Sequence, residues 1–92
     1  MFSIATTNRF EKDVDKCAKR GLDIVLMEAL IKYLENDGIV PQNPYRPHTL
    51  SGKFQGYWEC HIKPDWLLLW LKDEDQNLIT LIGTGTHSDL FK

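Results

Sequence analysis

Apolar residues recur first with a helical period and later with a strand period along this chain. Residues 2–6 alternate between apolar and small or polar side chains, which predicts a short first strand. A stripe at helical spacing follows, made of Phe10, Val14 and Cys17. Thr7 or Asn8 is the predicted N-cap of this helix, with Glu11 completing a capping box after Asn8, and Gly21 is the predicted C-cap.

A second helix is predicted between Asp23, which can cap its first turn, and the stop signal at residues 36–38. Its apolar side comprises Leu26, Met27, Leu30, Ile31, Tyr33 and Leu34. Only Gly21 and Leu22 separate the two helices, which predicts an antiparallel or bent helical hairpin.

The rest of the chain changes from a proline-rich segment to strand patterns. Three prolines between Val40 and Gly52 forbid a continuous helix or a paired strand there, so the segment is predicted to be an irregular loop. Strands are predicted at 57–62, 66–71 and 78–82. Their short links favour an antiparallel meander. The order β-α-α-β-β-β predicts an α+β fold with both helices packed on a twisted, mainly antiparallel sheet.

Length and composition indicate one globular domain, residues 1–92. The chain has 92 residues, 42% of them apolar, and a formal net charge of −2. The longest apolar run, residues 66–71, is too short to cross a bilayer, and no secretory signal precedes it. Cys17 and Cys60 lie in apolar patterns, which favours buried free thiols over a disulfide. A cytoplasmic protein without membrane contact is therefore expected.

Charge is unevenly distributed between the two ends of the chain. Residues 8–20 carry five basic and three acidic side chains, whereas residues 73–92 carry one basic and four acidic. The basic positions on the first helix are Arg9, Lys12, Lys16, Lys19 and Arg20. Such a stripe is either a phosphate-binding surface or a solvated helix face, and the overall negative charge argues against non-specific nucleic-acid binding.

All three histidines, His48, His61 and His87, lie at loop or strand boundaries in the second half of the chain. Imidazole suits proton transfer near neutral pH, so a shared site and unrelated surface positions are the competing interpretations. No HxxxH, HExxH or CxxC spacing supports a metal site.

Asp65 can orient a histidine or act as a base, although capping of its own turn is favoured from the sequence alone. Trp66 and Phe91 either stack on a nucleobase or lie in the core.

Two segments, residues 50–70 and 83–91, resemble the YafQ branch of the RelE-like bacterial toxins. The shared elements are a histidine before a Leu-x-Gly turn (His48, Leu50, Gly52), the Gly56-Tyr57 pair, His-x-x-Pro-Asp-Trp from His61 to Trp66, and Thr-Gly-Thr-His-x-x-Leu-Phe from Thr84 to Phe91. The resemblance extends over essentially the whole chain and implies the RelE-like fold.

The resemblance also implies an activity. It implies a type II toxin that enters the ribosomal A site and cleaves translated mRNA without a metal or other cofactor, and that a cognate DinJ/RelB-like antitoxin neutralises. Attack of a ribose 2′-hydroxyl on the adjacent phosphate would leave a 2′,3′-cyclic phosphate and a 5′-hydroxyl. By position, the implied proton-transfer set is His48, His61, Asp65 and His87, with Trp66 and Phe91 as aromatic support. His87 is the expected general acid, and His48 or Asp65 the expected base.

One position departs from the family pattern. Gly83 stands where relatives usually carry an arginine that would contact the phosphate. Either Lys53, Lys63 or Arg46 replaces that cation, or the chain is an attenuated or inactive RelE-fold module that keeps antitoxin or ribosome binding. A third hypothesis is a RelE-fold protein whose histidines bind metal. Gly83 is predicted to end a strand, where Gly83→Arg would fit easily and raise cleavage.

Overall fold

A five-stranded sheet forms the centre of the molecule, as seen in the computed structural model, which describes residues 1–91. The strands are β1 (Ser3–Thr6), β2 (His48–Thr49), β3 (Trp58–Lys63), β4 (Trp66–Asp73) and β5 (Leu78–Gly85). Their order across the sheet is β1-β5-β4-β3-β2, with β1 parallel to β5 and every other pair antiparallel. The predicted meander of the last three strands is confirmed.

The two predicted helices are α1 (Asn8–Lys19) and α2 (Ile24–Asp37). Asp23 caps α2 by accepting the Val25 N–H, and Gly38 ends the helix with a left-handed φ of 70°. The hydroxyl of Thr7 caps α1 and accepts the N–H of Phe10. Both helices therefore begin at side chains that the sequence identified.

The capping box predicted from Asn8 and Glu11 is wrong. Because Thr7 is the N-cap, its third helical position is Phe10, which has no carboxylate to return a hydrogen bond. Glu11 instead accepts a 2.6 Å hydrogen bond from the hydroxyl of Thr6. The C-cap of α1 is Arg20, and the predicted cap residue Gly21 follows it with a left-handed φ of 85°.

The segment predicted as an irregular loop contains more structure than its prolines indicate. It holds a short helical segment α3 (Gln42–Tyr45), interrupted by the extended backbone of Asn43, and the two-residue strand β2, and a 3-10 turn (Gly52–Phe54) follows it. His48 and Thr49 pair with Glu59 and Trp58 of β3. Neither of these two residues is a proline, so both keep the N–H that pairing with an open sheet edge requires.

Apolar side chains cover both faces of the sheet. One face packs against α1 and α2, and the core between them is formed by Phe10, Cys17, Met27, Leu30 and Leu34 from the helices and by Cys60, Ile62, Trp66, Leu68, Trp70, Ile79 and Leu81 from the sheet. The other face carries a smaller cluster, Leu67, Leu69 and Leu90, with Leu50, Tyr57, Ile82 and Phe91 at its border. Helix α4 (His87–Leu90) folds back onto this second face. The functional side chains described below belong to this second face.

Both cysteines are buried free thiols, as predicted. Burial raises the pKa of the Cys60 thiol to about 12 and also raises the pKa of Cys17. Neither thiol is therefore poised as a nucleophile at neutral pH. In the part of the chain that the structure describes, no helix is long and apolar enough to cross a bilayer.

Helix α1 continues the cover of β5 where β1 ends. Strand β1 stops at Thr6, opposite Leu81, and among residues 1–91 no other strand pairs with the rest of the β5 edge on that side. The side chain of Asp13 accepts the N–H of Thr84 there, at 3.2 Å. A charged side of α1 is therefore placed next to the end of β5 and to α4.

Candidate active site

The three histidine rings form a row on the second face of the sheet. The ring centroids of His48 and His61 are 6.4 Å apart, and those of His61 and His87 are 6.0 Å apart. Strand pairing explains the first contact, because His48 lies on the edge strand β2 and His61 on its neighbour β3. Helix α4 brings His87 from the far end of the chain. The structure thus brings these predicted residues together, while their catalytic roles stay predictions.

Asp65 completes the group at the turn between β3 and β4. Its Oδ1 accepts the backbone N–H of His87 at 3.3 Å and lies 3.1 Å from the Nδ1 of the same residue. These hydrogen bonds hold the pKa of Asp65 below its ordinary value. In the described residues its hydrogen bonds go to His87 and not to its own turn, so the capping role favoured from sequence is not what the carboxylate does.

His48 is paired with a carboxylate that the sequence analysis missed. Glu59 Oε1 lies 3.1 Å from His48 Nε2, and the Glu59 residue is only 5% exposed. The other ring nitrogen, Nδ1, lies 3.0 Å from the carbonyl oxygen of Arg46. Both nitrogens face acceptors, so a neutral His48 ring can donate to only one of them. The available signal was an acidic residue between Trp58 and Cys60, inside a strand whose other polar residues are His61 and Lys63.

His61 has one ring nitrogen engaged and stands at the centre of the row. Its Nδ1 lies 3.3 Å from the carbonyl oxygen of Pro64, and a carbonyl oxygen can only accept. Nδ1 therefore carries the hydrogen in the neutral ring, and Nε2 keeps its lone pair. The β3–β4 pairing is irregular between His61 and Lys63. Such irregularities often redirect a side chain beside an active site.

Two basic side chains flank His61. A cleft of about 360 Å³ is lined by Pro44, Arg46, His61, Ile62, Lys63 and Pro64. Both Arg46 and Lys63 are exposed, so their charges are available to an anion in this cleft. Of the three cations predicted from the sequence, these two lie beside the histidine row.

An aromatic group continues the row beyond His87. The Phe91 ring lies 6.2 Å from His87 and 5.0 Å from Phe54, edge to face with the latter. Lys53, the third predicted cation, is exposed and has its Nζ 5.8 Å from the Phe54 ring. Phe91 is half-buried, so part of its ring stays accessible for the predicted base contact.

The arrangement combines proton carriers, an exposed carboxylate and basic side chains. Among residues 1–91, no three His, Cys, Asp or Glu side chains converge in a group that could hold a metal ion. Proton transfer on an anionic substrate is the chemistry that these groups can perform by themselves.

The profile of a known protein family matches residues 2–92, and the family is described as a bacterial toxin of the type II toxin-antitoxin system, YafQ. This chain belongs to the YafQ toxin family. The mRNA interferase toxin YafQ of Escherichia coli K12 is 34% identical to it over 89 residues, which cover 96% of this chain and 94% of that toxin. The resemblance drawn from the sequence motifs is therefore confirmed.

Solved structures agree with this membership. The crystal structure of E. coli BL21(DE3) YafQ matches with a TM-score of 0.91 at 29% identity and covers 100% of both chains. The crystal structure of the E. coli DinJ-YafQ complex matches with a TM-score of 0.89 at 30% identity, again over 100% of both chains. The crystal structure of a metal-bound toxin from Helicobacter pylori matches with a TM-score of 0.89 at 33% identity, and the match covers 99% of this chain and 100% of that one. The expected α+β fold is confirmed.

Trp66 does not have the exposure that base stacking requires in this YafQ-family chain. It is 2% exposed and lies in the core beneath α1 and α2, on the face of the sheet opposite the histidines. Its indole N–H donates to the hydroxyl of Thr84 at 2.9 Å, and that hydroxyl donates to the carbonyl of Leu67. The stacking role is therefore corrected to a structural one, in which Trp66 ties β4 to β5.

The expectation that an arginine fits easily at position 83 is also wrong. Gly83 is buried within β5, not exposed at a strand end, and its backbone is that of an ordinary strand. A Cβ there would lie 3.0 Å from Asp13 Oδ2, 3.1 Å from Leu90 Cδ2 and 3.5 Å from Arg9 Nε. Space, and not backbone conformation, is what favours glycine.

We expect Gly83→Ala to destabilise the protein by about 1–3 kcal/mol, because the added methyl group displaces Asp13 and Leu90. Gly83→Arg should cost at least as much. Urea unfolding followed by tryptophan fluorescence measures both changes. An unchanged free energy of unfolding for both variants would show that the two side chains move aside without cost.

Proposed function

We propose that this chain is a ribosome-dependent endoribonuclease, an mRNA interferase that cuts translated messages without a metal ion. The observation that carries the proposal is the row of His48, His61 and His87, with Asp65 bonded to His87. The E. coli relative is named an mRNA interferase, which supports the same substrate class. A ribosomal substrate also agrees with the expected location in the cytoplasm.

The proposed reaction is an internal transesterification of the message. The ribose 2′-oxygen attacks the adjacent phosphorus, and the bond between phosphorus and the 5′-oxygen breaks. One product ends in a 2′,3′-cyclic phosphate and the other begins with a 5′-hydroxyl. The 2′-hydroxyl gives its proton to a base, and the departing 5′-oxygen receives one from an acid, so protons balance.

His87 is the proposed general acid. Its Nδ1 faces Asp65 Oδ1 at 3.1 Å, so the carboxylate fixes the orientation of the ring. Nε2 is then the nitrogen that donates to the 5′-oxygen. Asp65 serves better in this supporting role than as the base, because its lowered pKa makes its carboxylate a weak proton acceptor.

His61 is the proposed base, in preference to His48. The neutral His61 ring keeps a lone pair on Nε2, whereas both nitrogens of His48 face acceptors. We propose that the Glu59–His48 pair instead places an oriented polar ring next to His61. The buried Glu59 carboxylate fixes the orientation of the His48 ring.

Arg46 and Lys63 are the proposed cations for the crowded phosphate. They line the cleft beside His61, and no side chain at position 83 can supply this charge. Lys53 and Phe91 are proposed to contact the neighbouring nucleotide, Lys53 through a phosphate and Phe91 through a base.

A protein antitoxin of the DinJ/RelB-like kind is the proposed partner of this chain. The E. coli relative is seen as a complex with DinJ, and the YafQ family is one of toxin-antitoxin systems. Co-purification of the chain with the antitoxin from its own system, followed by loss of cleavage on mixing, tests this partnership.

The function is tested with ribosomes translating a defined message. We expect the added protein to cut within the A-site codon only while the message is being translated, and to leave a 2′,3′-cyclic phosphate. Primer extension maps the cut, and treatment of the 3′ end with acid and phosphatase identifies the cyclic phosphate. Cleavage of free RNA at the same rate would contradict ribosome dependence.

The same experiment separates the alternatives. Gly83 favours the hypothesis of an attenuated or inactive module, which predicts co-sedimentation with ribosomes without new message ends. Addition of 1,10-phenanthroline, which removes transition metals but leaves the ribosome its magnesium, tests the metal hypothesis. Loss of cleavage with this chelator would contradict the metal-free mechanism.

A further inference from the structure

Asp89, on the helix that carries His87, is bonded to two different parts of the fold. Its carboxylate accepts hydrogen bonds from N–H groups on both terminal guanidinium nitrogens of Arg20, the C-cap residue of α1, with N···O distances of 2.5 and 3.1 Å. Lys16 of the same helix lies 3.7 Å from it. The carboxylate also accepts the N–H of Thr86, whose hydroxyl accepts the N–H of Asp89 in return, so a capping box begins α4.

The end of β5 is shaped to receive this carboxylate. Gly85 has a φ of 152°, and a Cβ at this position would lie 2.7 Å from Asp89 Oδ2. Only glycine leaves room for such a close approach. The chain therefore leaves β5 at Gly85 and is fixed at Asp89 by its contact with Arg20. His87 lies between these two positions.

We propose that Arg20 and Asp89 are positioning residues for His87. Their ion pair anchors α4 to α1, and this anchor holds the His87 ring against Asp65 in the geometry for proton donation. The inference rests on the proposed function, because it concerns the general acid of that reaction. An anchor outside the helix matters because α4 has only four residues, too few to form a stable helix without tertiary contacts.

The bonding of Arg20 argues against an alternative role in binding RNA. Both terminal nitrogens already contact Asp89, and the side chain of Arg20 is 39% exposed. The contact with Arg20 also holds the pKa of Asp89 well below its ordinary value, so the pair stays charged at neutral pH. A phosphate would have to displace a bidentate carboxylate to reach this guanidinium.

The test compares Arg20→Gln, Asp89→Asn and the double variant on translating ribosomes. Asp89→Asn keeps an oxygen that can still accept from Thr86. We expect each single variant to lower the cleavage rate at saturating protein by about ten- to a hundredfold, the cost of a small misplacement of a catalytic group. The concentration that gives half the maximal rate should stay within about twofold of the original value. The double variant should cleave no more slowly than the slower of the two single variants, because each single variant already removes the same contact between Arg20 and Asp89.

Two further variants sharpen the comparison. Arg20→Lys keeps the charge without the planar fork and should recover only part of the rate. Lys32→Gln removes one positive charge from α2 and should leave the rate unchanged. If Arg20 instead binds RNA, Arg20→Gln will raise the half-maximal concentration and Asp89→Asn will not slow cleavage. That outcome would overturn the proposal.

Hydrogen exchange tests the anchor without any cleavage. The N–H groups of Leu90 and Phe91 donate to the carbonyls of Thr86 and His87 within α4. In Arg20→Gln these two amides should exchange at least about tenfold faster, while amides of β4 and β5 keep their rates. Unchanged exchange at both amides would overturn the inference. A wild-type chain that does not cut messages would contradict the proposed function alone, because the exchange result is obtained independently.

Discussion

His87→Ala should lower the rate of message cleavage on ribosomes by about 10³–10⁴-fold, the upper range for loss of a general acid. Without the imidazole, the 5′-oxygen must leave as an alkoxide, which is as poor a leaving group as hydroxide, whose conjugate acid has a pKa of about 15.7. The fold should persist, because the His87 side chain is 56% exposed. Single-turnover cleavage and thermal unfolding measure the two effects.

A message with sulfur in place of the 5′-bridging oxygen tests the acid role directly. A thiolate leaves readily, since thiols have a pKa of about 8.5, and it needs no proton from the enzyme. On this substrate, His87→Ala should cleave at nearly the wild-type rate. Ser88→Ala, an exposed neighbour on α4, should match the wild type on both substrates. A defect of equal size on oxygen and sulfur substrates would remove His87 from the role of acid.

His61→Asn should lower cleavage by about 10²–10³-fold on both substrates, because the 2′-hydroxyl loses its base whichever atom departs. The asparagine amide can still donate to the Pro64 carbonyl, as Nδ1 of His61 does, so the turn before β4 is preserved. The variant therefore separates loss of the base from local disruption. Single-turnover rates on the oxygen and sulfur messages provide the comparison.

His48→Asn is the matched control for the choice of base. The asparagine keeps the donor next to the Arg46 carbonyl but loses the contact with Glu59. If His61 is the base, His48→Asn should lower cleavage by clearly less than His61→Asn. The reverse order would assign the base to His48, as the sequence alone allowed.

Local signals in the sequence were sufficient for α1, α2 and the meander of the last three strands, but not for the short helices α3 and α4 or for the place of β1 beside β5. Asp23 and Gly38 mark the ends of α2 because a cap and a left-handed glycine act on their own neighbours. The short links between the last three strands predicted their antiparallel pairing, because such links join neighbouring strands. The prediction failed at β2, since a two-residue strand exists only where a partner edge is already present.

The motifs group His48, His61, Asp65 and His87 into one set, and the fold brings these side chains together. The same motifs could not separate exposed from buried aromatic rings. Phe91 follows α4 and is half-buried, whereas Trp66 points from β4 to the side of the sheet that packs against α1 and α2. Which face of the sheet is buried depends on where α1 and α2 pack.

Short-range patterns and motifs in the sequence were enough to predict the two long helices, the meander of the last three strands and the YafQ family, and they proposed His48, His61, Asp65 and His87 as the proton carriers. The groups that surround those carriers were set by tertiary packing alone. Glu59 meets His48 across two strands, Arg20 meets Asp89 across 69 positions, and Gly83 is crowded by side chains of α1 and α4. Contacts of this kind depend on the relative position of packed elements, and no pattern within a single element records that position.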